Sequence, residues 1–146
     1  MNIAQALKHK NRLSGELNRI KNLIVKNNSV RTDKKTKVNI GHLFRELSEV
    51  RDELIDLKGK INVATAPIAG KLAKLAEMKS EISWYDSIPS REGKVTETIG
   101  YRGDSAEVEY ETHLTEVDIE DCKKVTQETI NKLQDQIDEY NYTTKI

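Results

Sequence analysis

Four side chains with ligand chemistry alternate along one short segment of the chain: Glu107, Glu109, Glu111 and His113. Read as one face of a β-strand, these carboxylates and imidazole are the right types to hold a cation. Alternate side chains on a strand stand about 6–7 Å apart, too far for all four to reach one ion. A solvated acidic face is therefore the expected outcome. His42 and Glu46, four residues apart on a helical pattern, form a second such pair. A dinuclear carboxylate centre needs further Glu and Glu-x-x-His sets from other helices, and the chain contains no Glu-x-x-His. No metal site is expected, and His42 is expected to be exposed.

Other chemistry-bearing residues meet similar limits. Cys122 is the only cysteine, which excludes an intrachain disulfide and a zinc cluster. It lies near a helix N-terminus, where thiolates are favoured, but on what reads as the apolar face, so it is expected to be buried. Arg102-Gly103-Asp104 spells an adhesion tripeptide, yet a tight turn wants Gly and Asp for its own geometry. There is no nucleophile-elbow spacing and no glycine loop to cradle a phosphate. Neither an enzyme nor a cofactor is expected, and catalytic, cofactor-binding and metal residues are each expected to be none.

Charge is the stronger signal. The chain is neutral overall, with 24 basic and 24 acidic residues. Residues 1–38 hold ten of the basic residues and two of the acids, for a balance of +8, and residues 39–146 carry −8. Two readings stay open. In one, Lys26, Arg31, Lys34, Lys35 and Lys37 grip phosphates non-specifically, aided by Lys8, Lys10, Arg12, Arg19 and Lys21. No aromatic residue interleaves them for base stacking, so such binding would be electrostatic and steeply salt-dependent. In the other, a basic helix lies against acidic ones.

The positioning elements follow from apolar spacing. Ile3, Ala6, Leu13, Leu17, Ile20 and Ile24 fall on one stripe, with Lys10 and Asn27 as its polar members, and predict a helix over about 2–27. A polar, basic connection follows, and Asn39 is placed to cap the next helix. Over about 40–64, Ile40, Leu43, Leu47, Val50, Leu54, Leu57, Ile61 and Ala64 step strictly by three and four, a coiled-coil or bundle signature, with Phe44 and Ile55 widening its flank. Thr65 and Pro67 suggest a new N-terminus. A third helix over about 68–87 uses Ile68, Leu72, Leu75, Met78, Ile82 and Tyr85. Alternation then replaces the helical period: Val108, Tyr110, Thr112 and Leu114 oppose the acidic face, predicting a β-hairpin over about 94–114. A last helix over about 118–141 opens on Asp118 as its cap and lines Ile119, Cys122, Val125, Ile130, Leu133, Ile137 and Tyr140 inward.

The expected fold is mainly α, a long antiparallel helical hairpin or bundle of four helices, with a β-hairpin inserted between helices 3 and 4, in a single domain over 1–146. A lone two-stranded hairpin is marginal in water, so it must pack on a helix or pair with another chain. Self-association through Leu43, Leu47, Val50, Leu54, Leu57, Val108 and Tyr110 is the leading expectation. It makes the chain a structural or adaptor protein, expected as a homo-oligomer and as a binder of protein partners. A nucleic-acid-associated protein is the alternative. The polar start and the lack of a spanning apolar run suggest a cytoplasmic address and no membrane role.

The opening MNIAQAL and the closing LQDQIDEYNYTTKI, with Asn141, Tyr142, Thr143 and Thr144, resemble a group of uncharacterised bacterial proteins labelled septicolysin-like. The resemblance spans nearly the whole chain, with Ile61-Asn62 and the hairpin in matching order, and departs from the family's more polar pattern at 62–66. Its label implies a cytolysin. It brings no set of catalytic residues, and the sequence offers lysis neither an export signal nor an apolar spanning segment.

Overall fold

A computed structural model of the chain describes residues 1–34 and 37–146. Among them are four α-helices, α1 (Ile3–Asn27), α2 (Ile40–Thr65), α3 (Ala69–Tyr85) and α4 (Glu116–Thr143). A 3-10 turn (Ala66–Ile68) joins α2 to α3, and two strands, β1 (Gly93–Ile99) and β2 (Asp104–Tyr110), lie between α3 and α4. The fold is thus mainly α with a β-hairpin between the third and fourth helices, as the spacing predicts. The described residues gather into two compact units: Met1–Ala69 with Gln136–Ile146, and Gly70–Asp135.

In the first unit α1 and α2 form an antiparallel hairpin. Ala6, Leu13, Leu54, Leu57 and Ile61 make one buried cluster, with Leu7, Leu17, Val50 and Ile146 packed against it. The stripes are spaced at the helical period, so each turn of one helix delivers an apolar side chain to the other. Charge follows the same seam. His9 Nε2 lies 3.2 Å from Glu53 Oε1, and Arg19 Nη2 lies 3.5 Å from Glu46 Oε1. Basic side chains of α1 therefore meet individual carboxylates of α2 at the edge of the seam, although surface pairs of this kind contribute little to stability.

The N-termini of α1 and α2 are capped by asparagine. The Asn2 side chain accepts from the Gln5 N–H at 2.8 Å while Gln5 Oε1 accepts from the Asn2 N–H at 3.0 Å, a reciprocal box. Asn39 accepts from the His42 N–H at 3.0 Å, as its position suggests. Thr65 does not cap α3. It is the last residue of α2, its hydroxyl donating to the Ile61 carbonyl at 2.9 Å, and Pro67 sits in the 3-10 turn. A proline there is tolerated because a first-turn N–H has no helical acceptor.

The last turns of α4 complete this unit. Ile137 is buried, and the Tyr140 hydroxyl donates to the Ala64 carbonyl at 3.0 Å. The Ile3 N–H donates to Thr144 O and the Ile146 N–H to Met1 O, both at 3.0 Å, around a β-bridge between Asn2 and Lys145. Asn2 Nδ2 adds a bond to Tyr142 O at 3.1 Å. This clasp satisfies helix-end groups that would otherwise need water.

In the second unit α3 and α4 run antiparallel. Lys123 Nζ contacts Asp86 Oδ1, and Lys79 Nζ lies 3.5 Å from Gln134 Oε1. Ile119, Thr126, Ile130 and Leu133 are the buried residues of this stretch of α4. The steps from Ile119 through 123, 126, 130, 133 and 137 keep the strict three-four rhythm. Cys122 and Val125 are apolar in type but off that rhythm, and both are exposed. The expectation of a buried Cys122 fails for that reason: spacing, not residue type, chooses the face, and Thr126 occupies the stripe instead. α4 also begins earlier than expected. Thr115 is its cap, with the Asp118 N–H donating to Thr115 Oγ1 at 3.2 Å and the Thr115 N–H donating to Asp118 Oδ2 at 3.0 Å.

Candidate interaction surfaces

The hairpin is built from alternating residues closed by a four-residue loop. β1 and β2 pair antiparallel from Gly93–Tyr110 through Ile99–Asp104. Gly100 and Gly103 both have φ of 76°, the left-handed conformation that side chains resist, which turns the chain between them. The Arg102-Gly103-Asp104 tripeptide is therefore turn chemistry at the hairpin end, with Tyr101 fully exposed beside it. β2 stops at Tyr110, so Glu111 and His113 leave the strand and do not join Glu107 and Glu109 on a face. Thr112 instead bonds the Leu114 carbonyl at 2.8 Å on the way to the Thr115 cap.

One face of the hairpin is half-buried and carries Val95 opposite Val108, Glu97 opposite Ala106 and Gly93 opposite Tyr110. Glu97 organises it. Its Oε1 accepts from the Tyr110 hydroxyl and from Arg91 Nη1 at 2.9 Å, and the Arg91 guanidinium lies 5.6 Å from the centre of the Tyr110 ring. The hydrogen bond to Glu97, aided by partial burial, pushes the Tyr110 phenol above its ordinary pKa. The other face is exposed and shows Lys94, Thr96 and Thr98 beside Ser105, Glu107 and Glu109. The sheet has two strands, so each keeps one edge with no backbone partner among the described residues.

The helical residues expected to mediate self-association lie elsewhere. Leu54 and Leu57 are buried and Val50 half-buried in the cluster shared with α1, and Leu43, buried, and Leu47, half-buried, continue the same stripe of α2. Their surface is spent within the chain. The flank remains: Phe44 and Ile55, eleven residues apart and on one side of α2, are 53% and 61% exposed. Near the end of α2, Gly59, Lys60, Val63 and Ala64 border an open groove of about 630 Å³ with Lys145 and Ile146. Its lining is mostly aliphatic, and Lys60 Nζ pairs with Asp56 at 2.7 Å on the rim.

The basic segment is dispersed. Arg31 is held by Asp33 at 2.6 Å, while Lys26, Lys34 and Lys37 are exposed and form no ion pair among the described residues. Lys35 lies outside the described residues. Arg19, which would have aided it, is bound to Glu16 at 2.6 Å, and that bond lowers the Glu16 pKa and raises that of Arg19. His42 is exposed, while Glu46 turns to Arg19 rather than to His42. Among the described residues no three His, Cys, Asp or Glu side chains come together as a metal cluster. None of the described helices is long and apolar enough to cross a membrane.

No protein-family model, curated protein or solved structure matches the chain.

Proposed function

We propose that this chain is a self-associating structural or adaptor protein that works through surface contact along its helices and hairpin. The observation that carries this reading is the hairpin, whose two strands have no third strand to cover either edge among the described residues. Unpaired edges with regular alternation are templates for another strand, and proteins that must avoid pairing blunt them. β1 contains no proline and its charges cancel, while only the acids of β2 guard the other edge, and the pairing of the two strands runs unbroken over seven residues. The exposed Phe44 and Ile55 on α2, and Trp84 on α3, favour contact in the same way, because large apolar groups gain most from leaving water.

Light scattering across a dilution series tests the reading. It expects a mass of at least twice 16.6 kDa at the higher concentrations, falling on dilution. A mass of one chain throughout the series refutes it.

A further inference from the structure

We propose that the outer edge of β1 pairs antiparallel with the same edge of a second copy, across a two-fold axis at Thr96. This makes a four-stranded sheet of order β2-β1-β1-β2, and it rests on the self-association reading.

Charge chooses the edge. β2 reads DSAEVEY and carries three acids, Asp104, Glu107 and Glu109. Laid antiparallel on itself in full register, it sets Glu107 against Glu107 of the second copy, and like charges directly opposite repel. β1 reads GKVTETI, with one Lys and one Glu, so its charge cancels. Its full self-register sets Thr96 against Thr96, Lys94 against Thr98, Val95 against Glu97 and Gly93 against Ile99. No like charges meet. Shifting by two residues to centre on Glu97 would oppose that carboxylate to itself, and the shift the other way to centre on Val95 would leave Thr98 and Ile99 unpaired, so the full register pairs the most residues without opposing like charges.

Shape agrees with charge. Ile99 is 54% exposed at the end of β1. In this register it lies over Gly93 of the second copy, where a Cβ would meet no atom within 4 Å. Tyr110 is the next residue across, because it pairs with Gly93 inside the hairpin. The apolar side chain thus enters a position left open by glycine and lands beside an aromatic ring. Cross-strand contacts of this type are the unit of sheet stability. A two-fold arrangement also closes, leaving the acidic β2 edges outermost where they discourage further addition.

Thr96 gives a discriminating test because its two neighbours across the strands differ. Within the hairpin it faces Glu107, so Thr96→Lys places opposite charges together and keeps the hairpin. Across the axis it places lysine against lysine. Sedimentation should show the dimer dissociation constant raised about five- to tenfold for this variant. In a Cys122→Ser background, Thr96→Cys should cross-link to itself with a short bis-maleimide, whereas Ser105→Cys on β2 should not. If the unaltered chain associates but Thr96→Lys is indifferent and Thr96→Cys fails to cross-link, the pairing is overturned while self-association stands. Cross-linking through Ser105→Cys overturns it too. A chain that stays single at every concentration overturns both.

Discussion

The Tyr140 hydroxyl donates to the Ala64 carbonyl at 3.0 Å, tying the last turn of α4 to the end of α2 across 76 residues of sequence. Ala64 belongs to the apolar series of α2, and Tyr140 continues the three-four rhythm of α4. The bond forms where two stripes converge, and the half-buried ring brings its polar tip to a carbonyl near a helix end. Tyr140→Phe keeps the ring and removes the donor. It should lower stability by about 1 kcal/mol, read from the midpoint of urea unfolding with an unchanged slope.

The two faces of α2 should respond differently to truncation. Leu54 is 6% exposed within the cluster shared with α1, so Leu54→Ala should cost about 2–5 kcal/mol of folding stability. Phe44 is 53% exposed, and Phe44→Ala should change folding stability by less than about 0.5 kcal/mol. Thermal or chemical unfolding of both variants at a concentration where the chain is single checks the contrast.

The start of α4 gives a pH-dependent test. Asp118 has its pKa held below the ordinary 3.8, first by the Thr115 backbone N–H and then by the Thr115 hydroxyl. A folded pKa below the unfolded one means that the folded chain holds fewer protons near that pH. The contribution is therefore present above about 3.8 and is lost as pH falls through the folded value. Carboxyl NMR titration should place Asp118 below the unfolded aspartate range. Thr115→Val should move it back toward that range, and Asp118→Asn should remove this part of the acid sensitivity of stability.

The architecture was legible because stripes and alternation are imposed by burial. Leu43 to Ile61 mark the α2 face, and Val108 and Tyr110 mark the half-buried side of β2. Boundaries were less legible. Thr65 and Asp118 are both plausible caps by type, but the backbone bonds that decide between cap and interior depend on where the preceding turn ends. Asn2 with Gln5, and Thr115 with Asp118, each carried a three-residue capping spacing that identifies the real starts. Cys122 and Val125 are apolar by type but off the three-four rhythm, and the rhythm sets the buried face. The association residues expected on α2 share their stripe with the cluster that α1 packs against: a heptad stripe shows that a face is covered, not by which chain. The β1 edge had no such signature, because only the register reveals that Thr96 faces Glu107 on one side and, among the described residues, no strand on the other.

Hydrogen exchange along the hairpin, followed over a range of chain concentrations, tests the account of association through the β1 edge most directly. The outward-pointing amides of β1 should gain protection as concentration rises and lose it on dilution, while those on the outer edge of β2 stay fast. Equal and concentration-independent exchange at both edges would contradict the account.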